Sequence, residues 1–213
     1  MSDHDDFAFD VAPGIPAPLP KGEEVLWQGR PDASALAREA FKIRWIAAYM
    51  ALIVLWKAGA GFADGGLALA VLRGVPYVVL ALAAVAVVWV LAWAQARATV
   101  YTVTSARVLM KIGAALSVTY NIPFAQVATA RLDLKPNGTG TIAMETLGDT
   151  RLAFLALWPH LRPGRLKKTE PALRCIPDAE RVAKLLAEAA EARLAMPVIS
   201  RIDAAMGDAV AAE

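Results

Sequence analysis

A chain of 213 residues that is 57% hydrophobic, with a formal charge of only +2, is too apolar for an ordinary soluble domain and too neutral for bulk nucleic-acid binding. Its one cysteine, Cys175, excludes an internal disulfide and fits a reducing, cytoplasmic setting for the part outside a membrane. With His4 and His160 as the only histidines, there is no His-Glu-x-x-His, Cys-x-x-Cys or Gly-x-Ser-x-Gly pattern, so hydrolase and metalloenzyme chemistry has little to rest on.

Residues 1–21 form an acidic, Pro-rich tail, expected to be disordered. Asp3, Asp5, Asp6 and Asp10 stand there with no Lys or Arg in the first ten residues. The tail has neither a basic n-region nor an apolar h-region, so it does not read as a cleavable signal peptide. Val25–Gly29 reads as a strand stopped by Gly29 and Pro31, and residues 22–42 form the first strand and linker of a domain.

The apolar excess is concentrated in residues 43–96. Ile43–Ala63 and Val75–Ala96 are each about long enough to cross a hydrocarbon core of about 30 Å as helices. They predict a two-helix transmembrane hairpin. Lys57 interrupts the first run. It can snorkel its ammonium to the far interface or pair with a carboxylate on a partner helix. Arg38, Lys42 and Arg44 precede the first run, and Arg97, Arg107 and Lys111 follow the second. This bias puts both termini in the cytoplasm. Trp45, Trp89 and Trp93 then lie near the cytoplasmic interface and Tyr77 near the other, as lipid anchors. Ala47/Ala51 and Ala92/Ala96 have the small-residue spacing of close helix contact.

From residue 97 to 195 the pattern changes to short strands and tight turns. Six antiparallel strands are predicted: Val100–Thr104, Arg107–Ile112, Leu116–Ile122, Gln126–Leu134, Thr139–Thr146 and Arg151–Leu157. Asn137-Gly138 and Gly148-Asp149 are the hairpin signals. Gly138-Thr-Gly140 reads as part of a turn, because a phosphate loop would need a further glycine, a lysine and a following helix. A helix over about 178–194 follows, with Pro177 in its first turn and Val182, Leu185, Leu186 and Ala189 on one apolar face. Residues 196–213 form a tail in which Ile199–Val210 fits one short amphipathic helix.

If the strand at Val25–Gly29 joins this sheet, the hairpin is an insertion. The expected fold is a membrane protein of the α+β class, with a two-helix transmembrane hairpin inserted in an antiparallel sheet or barrel domain capped by a C-terminal helix. The segment from Trp158 through His160, Arg162, Arg165, Lys167 and Lys168 is basic, carries an aromatic anchor and is stiffened by Pro159 and Pro163. It is expected to contact anionic lipid or an acidic partner surface, against the plain alternative of a solvated loop.

Gly22-Glu-Glu-Val-Leu-Trp-Gln-Gly-Arg-Pro31, Tyr101-Thr-Val-Thr-Ser-Ala-Arg107, Ile122-Pro-Phe-Ala-Gln-Val127 and Gly138-Thr-Gly-Thr-Ile142 together resemble bacterial pleckstrin-homology-like (PH-like) membrane proteins. Leu157-Trp-Pro-His-Leu-Arg-Pro-Gly-Arg165, continuing to Asp178, resembles more narrowly the PuhB family, photosynthetic-complex assembly proteins of purple phototrophic bacteria. The resemblance runs over about residues 20–195. It implies a bent antiparallel sheet with a capping helix, in the bacterial inner (intracytoplasmic) membrane. It also implies a non-catalytic role in assembling the reaction centre with its core light-harvesting 1 antenna through transient protein binding. The implied partners are reaction-centre and light-harvesting 1 subunits, with membrane lipids around the hairpin; a second copy of the chain, as a homodimer, is a further partner that the sequence leaves open. No cofactor of its own is implied, since bacteriochlorophyll belongs to the clients. His160 is weighed as a ligand for a chlorin magnesium against a plain loop residue at a partner contact. The competing functional reading is a PH-like lipid-sensing or regulatory membrane module.

Overall fold

The computed structural model describes residues 14–114, 117–147, 154–164 and 169–195. Two antiparallel sheets form the domain. The first holds β1 (Val25–Gly29), β2 (Val100–Thr104), β3 (Arg107–Ile112) and β4 (Val118–Pro123) in that order. The second holds β5 (Val127–Leu134), β6 (Thr139–Thr146) and β7 (Ala172–Pro177) in that order. β1 pairs with β2, placing Trp27 opposite Val103 and Gln28 opposite Thr102. The intervening helices α1 (Ala33–Glu39) and α2 (Ile43–Ala98) are therefore inserted between two neighbouring strands.

One core joins the sheets. Tyr101, Val103, Val108, Met110 and Ile122 of the first sheet pack with Ile142, Met144, Leu173 and Ile176 of the second. α4 (Ala179–Leu194) closes it with Val182, Leu186 and Ala189, while Glu188, Glu191 and Arg193 face outward. Each large aliphatic side chain removed from water contributes roughly 1.5–3 kcal/mol. The closure is tight at Gly140, where an added Cβ would lie 2.5 Å from the Ala179 Cβ. Two of the motif segments prove to be one physical feature. Glu23 accepts two hydrogen bonds from Arg107, at 2.9 and 2.7 Å, and one from the Thr104 hydroxyl at 2.7 Å. Burial alone would raise the Glu23 carboxyl, but these partners outweigh it and hold it below its ordinary value.

Four expectations need correction. The strand expected at Arg151–Leu157 is absent from its described end, where Phe154–Leu157 is a helical turn, α3; Arg151–Ala153 lie outside the described residues. The sheet is completed instead by β7, whose Ala172–Pro177 pairs with β6. Its irregular backbone hides it, since Cys175 takes φ 53° and the register shifts between Gly140 and Ile142. Pro177 ends that strand and does not open the helix; Asp178, at φ 51°, makes the turn into α4. The tail expected to be disordered over residues 1–21 is placed at its far end, where Ile15 is buried and Gly14 lies against Val100 of β2. Residues 1–13, the segment weighed as a helix at Ile199–Val210 and the turn at Gly148-Asp149 lie outside the described residues.

The apolar region is assigned as one helical segment, α2, which is long and apolar enough to cross a membrane. No loop spans residues 64–74. The backbone leaves helical geometry only at Gly65 and Gly66, and Gly66 takes φ 71°, which glycine adopts without a Cβ penalty. The two arms on either side touch. A Cβ added at Gly61 would meet the Ala70 Cα at 2.9 Å, and one at Gly74 would meet the Ala58 Cβ at 3.3 Å. Asp64 and Arg73 are ion-paired beside the break. Lys57 lies over aromatic faces, with its Nζ 5.0 Å from the Trp56 ring centroid and 5.3 Å from that of Tyr77. Most of the segment's large apolar side chains are exposed, among them Leu52, Leu55, Leu82 and Val87.

Candidate functional site at the base of the helical segment

α2 enters and leaves the sheet domain at one place, and polar groups gather there. Thr99 follows the end of α2 and Tyr101 lies in β2. His160, in the connection before β7, reaches between them and is completely buried. Its Nε2 lies 3.1 Å from the Thr99 hydroxyl and its Nδ1 lies 2.5 Å from the Tyr101 hydroxyl. The Thr99 hydroxyl also donates to the Gln95 carbonyl at 2.8 Å, and the Tyr101 hydroxyl accepts from the Arg174 backbone N–H at 3.3 Å. One tautomer satisfies all of these groups: Nε2–H donates to Thr99, and Tyr101 donates to Nδ1. Burial, with the nearby Arg174 charge adding to it, drives the His160 pKa down to about 3. His160 is therefore a neutral clasp between the end of α2 and the second sheet. It is not on the exposed basic face, and with both ring nitrogens engaged it has none to offer a chlorin magnesium.

The rest of the expected contact segment divides. Trp158 is half-exposed and meets Phe41 edge-on at a centroid distance of 5.0 Å, just before α2 begins. Arg162 pairs at 3.0 Å with the buried carboxylate of Glu170, which Arg131 also approaches at 3.7 Å. Arg162 is thus committed to the fold. Arg165, Lys167 and Lys168 lie outside the described residues. Cys175 packs with Ala35, Leu36 and Ala96, and burial pushes its thiol up to about 12, so it is an inert core residue. The Ala92/Ala96 spacing is explained in the same place, since both are buried and Ala96 packs with α1. Among the described residues, no group of three or more His, Cys, Asp and Glu side chains could hold a metal ion.

A second arrangement escaped the reading of the sequence. Where α1 turns into α2, a cleft of about 760 Å³ opens between the start of α2 and the β5–β6 turn. Arg38, Lys42, Arg44 and Lys135 line it with Trp45, against Glu39 as its one carboxylate. Arg38 and Arg44 had only an orientation role in the sequence, and Lys135 only a turn role; packing brings them together. A smaller adjoining cleft of about 390 Å³ shares Glu39, Lys42 and Lys135 and reaches Arg131, Arg162 and Arg174. Trp45 is 76% exposed, and Trp89 and Trp93 are about half exposed, with Arg97 5.7 Å from the Trp93 ring. Carrying the Ala58–Gly74 and Gly61–Ala70 register down the arms sets Trp45 roughly level with Trp89. Tyr77 lies toward the break, partly buried beside Lys57.

A match to the Bacterial PH domain family covers residues 41–190. The chain is also 47% identical over 201 residues to an uncharacterised 23.7 kDa protein in the puhA 5′ region of Rhodobacter capsulatus, covering 93% of this chain and 94% of that protein. No solved structure matches. The two sheets, the capping helix and the family match agree: this chain belongs to the Bacterial PH domain family.

Proposed function

We propose that the chain is a membrane-anchored, non-catalytic assembly factor of the PuhB type, which aligns reaction-centre and light-harvesting 1 subunits by transient binding. The observation that carries this reading is the insertion of an exposed apolar helical segment between paired strands β1 and β2. A domain held to a bilayer at both neighbouring strands is restrained in tilt, which suits a protein that presents one face to membrane-embedded clients. In this reading both arms of α2 cross the membrane, the Gly65-Gly66 break lies on the far side, and the sheet domain and both termini are cytoplasmic. The arms, at 1.5 Å per residue, measure roughly 33 and 48 Å, so each exceeds a hydrocarbon core of about 30 Å. The neighbourhood of the Rhodobacter relative, beside the photosynthetic gene puhA, supports a role in photosynthesis.

Mild-detergent purification of the tagged chain from a phototrophic host, together with a deletion strain, tests the proposal. Reaction-centre or antenna subunits should co-purify, and the deletion should lower the assembled complex. Normal photocomplex levels in the deletion, with lipid alone recovered, would refute it. That outcome would favour the second reading, a lipid-sensing or regulatory membrane module, for which the basic cleft beside Trp45 is the supporting observation.

A further inference from the structure

We infer that the cleft at the base of α2 is a headgroup site for an anionic phospholipid, with the phosphate among Lys42, Arg44 and Lys135 and the acyl chains along the first arm. The inference rests on the proposed membrane embedding of α2. Three independent features converge on it.

The first is charge. Four cations line the cleft against Glu39 alone, and among the described residues neither Lys42 nor Arg44 is ion-paired. Lys135 is paired at 2.8 Å with Asp133, and Arg38 donates to the Ser34 hydroxyl at 3.1 Å. The charges of Lys42 and Arg44 are thus unspent, and a phosphodiester would satisfy them, with Lys135 beside it shared with Asp133.

The second is position. Trp45 and Ala48 form the cleft's apolar side, and exposed Tyr49 and Leu52 continue from them along the same arm. A cationic recess that opens onto such a strip matches an amphiphile with a charged head and an apolar tail. A free anion would use only half of it.

The third is Lys42 itself. It sits at φ 54° and ψ 35°, a left-handed conformation that glycine or asparagine adopts more cheaply. The chain carries a charged side chain here, at the mouth of the cleft, where the backbone alone would favour glycine.

The test uses the full chain in a neutral detergent, titrated with short-chain phosphatidylglycerol, short-chain phosphatidylcholine or inorganic phosphate, with bound lipid counted by native mass spectrometry. Wild type should prefer phosphatidylglycerol. Lys42→Gly combined with Arg44→Ser and Lys135→Ser should weaken that binding roughly a hundredfold at low salt, because each nearby cation contributes about a fivefold factor. Arg193→Ser, at the far end of α4 on the side of Glu23, should leave it unchanged. Lys42→Gly alone relieves the left-handed backbone, so weaker lipid binding from a protein that melts no lower cannot be ascribed to misfolding. Equal binding of the two lipids, unchanged binding by the triple variant, or displacement of phosphatidylglycerol by an equal concentration of inorganic phosphate would overturn the assignment. Flotation with vesicles of phosphatidylcholine alone separates the two readings. A chain that floats but shows no anionic preference refutes only the headgroup site, whereas one that fails to float refutes the membrane embedding beneath it.

Discussion

Acid should unlock the domain through His160 before it reaches the carboxylates. The imidazole is held neutral between Thr99 and Tyr101, with its pKa lowered to about 3 by burial and the nearby Arg174 charge, whereas in the unfolded chain it titrates near the ordinary value of 6.5. Below pH 6.5 the unfolded state takes up a proton that the native state refuses, so stability falls with pH at up to about 1.36 kcal/mol per unit until the native ring itself protonates near pH 3. From pH 7 to pH 5 the loss is about 2 kcal/mol, or about 4–8 °C in melting temperature for a chain of this size. Glu23 and Asp32, both held below their ordinary values, lose their contribution at lower pH, so the window from pH 6.5 to 5 belongs to His160. Thermal melting of the detergent-solubilised chain, followed by tryptophan fluorescence at pH 7, 6 and 5, reads the slope. His160→Gln should melt lower at pH 7, because its amide replaces the two-sided clasp imperfectly, and it should lose the acid slope. The variant keeps His4, which makes it its own control for any other histidine. Parallel pH profiles of wild type and variant would refute a neutral, buried His160.

Tyr101→Phe removes the hydroxyl that meets His160 and accepts from Arg174, and should cost about 1–3 kcal/mol by chemical denaturation through the buried groups it strands. Arg162→Ser should likewise destabilise by about 1–3 kcal/mol, less than a fully buried pair, because Arg162 is one-third exposed and Arg131 still approaches Glu170. A loss of partner binding in that variant would therefore mix contact with stability, and only Arg165, Lys167 and Lys168 should be changed to test the contact role. Gly140→Ala forces a Cβ against Ala179 and should cost about 1–3 kcal/mol, measured as a lowered unfolding midpoint. Ala58→Cys with Gly74→Cys should form a disulfide within one chain on mild oxidation, since the Cβ positions are 3.3 Å apart, close to the range a disulfide uses. Only intermolecular cross-links on a non-reducing gel would refute the contact between the arms.

The sequence by itself determined the elements whose signals are local. Runs of apolar residues marked residues 43–96, Asn137-Gly138 marked the β5–β6 turn, and the stripe Val182, Leu185, Leu186 and Ala189 marked the buried face of α4. Val25–Gly29 was legible as a strand for the same reason, and the Glu23 and Arg107 motifs carried the family resemblance without showing that they grip each other. β7 was missed because its identity lies in pairing with β6 and not in any alternation of its own; Cys175 breaks the extended pattern and all six residues but Pro177 are buried. The loop expected around residues 64–74 closed to two glycines because the small residues Gly61, Gly74, Ala58 and Ala70 let the arms approach closely. Tertiary structure alone decided the fate of the basic and histidine residues. Whether a histidine is a surface ligand or a buried clasp depends on what packs around it, and Thr99 and Tyr101 stand 61 and 59 positions away from His160. The cleft arises in the same way: Lys42 and Lys135 are far apart in the chain, and their shared field exists only once the β5–β6 turn is laid against the start of α2.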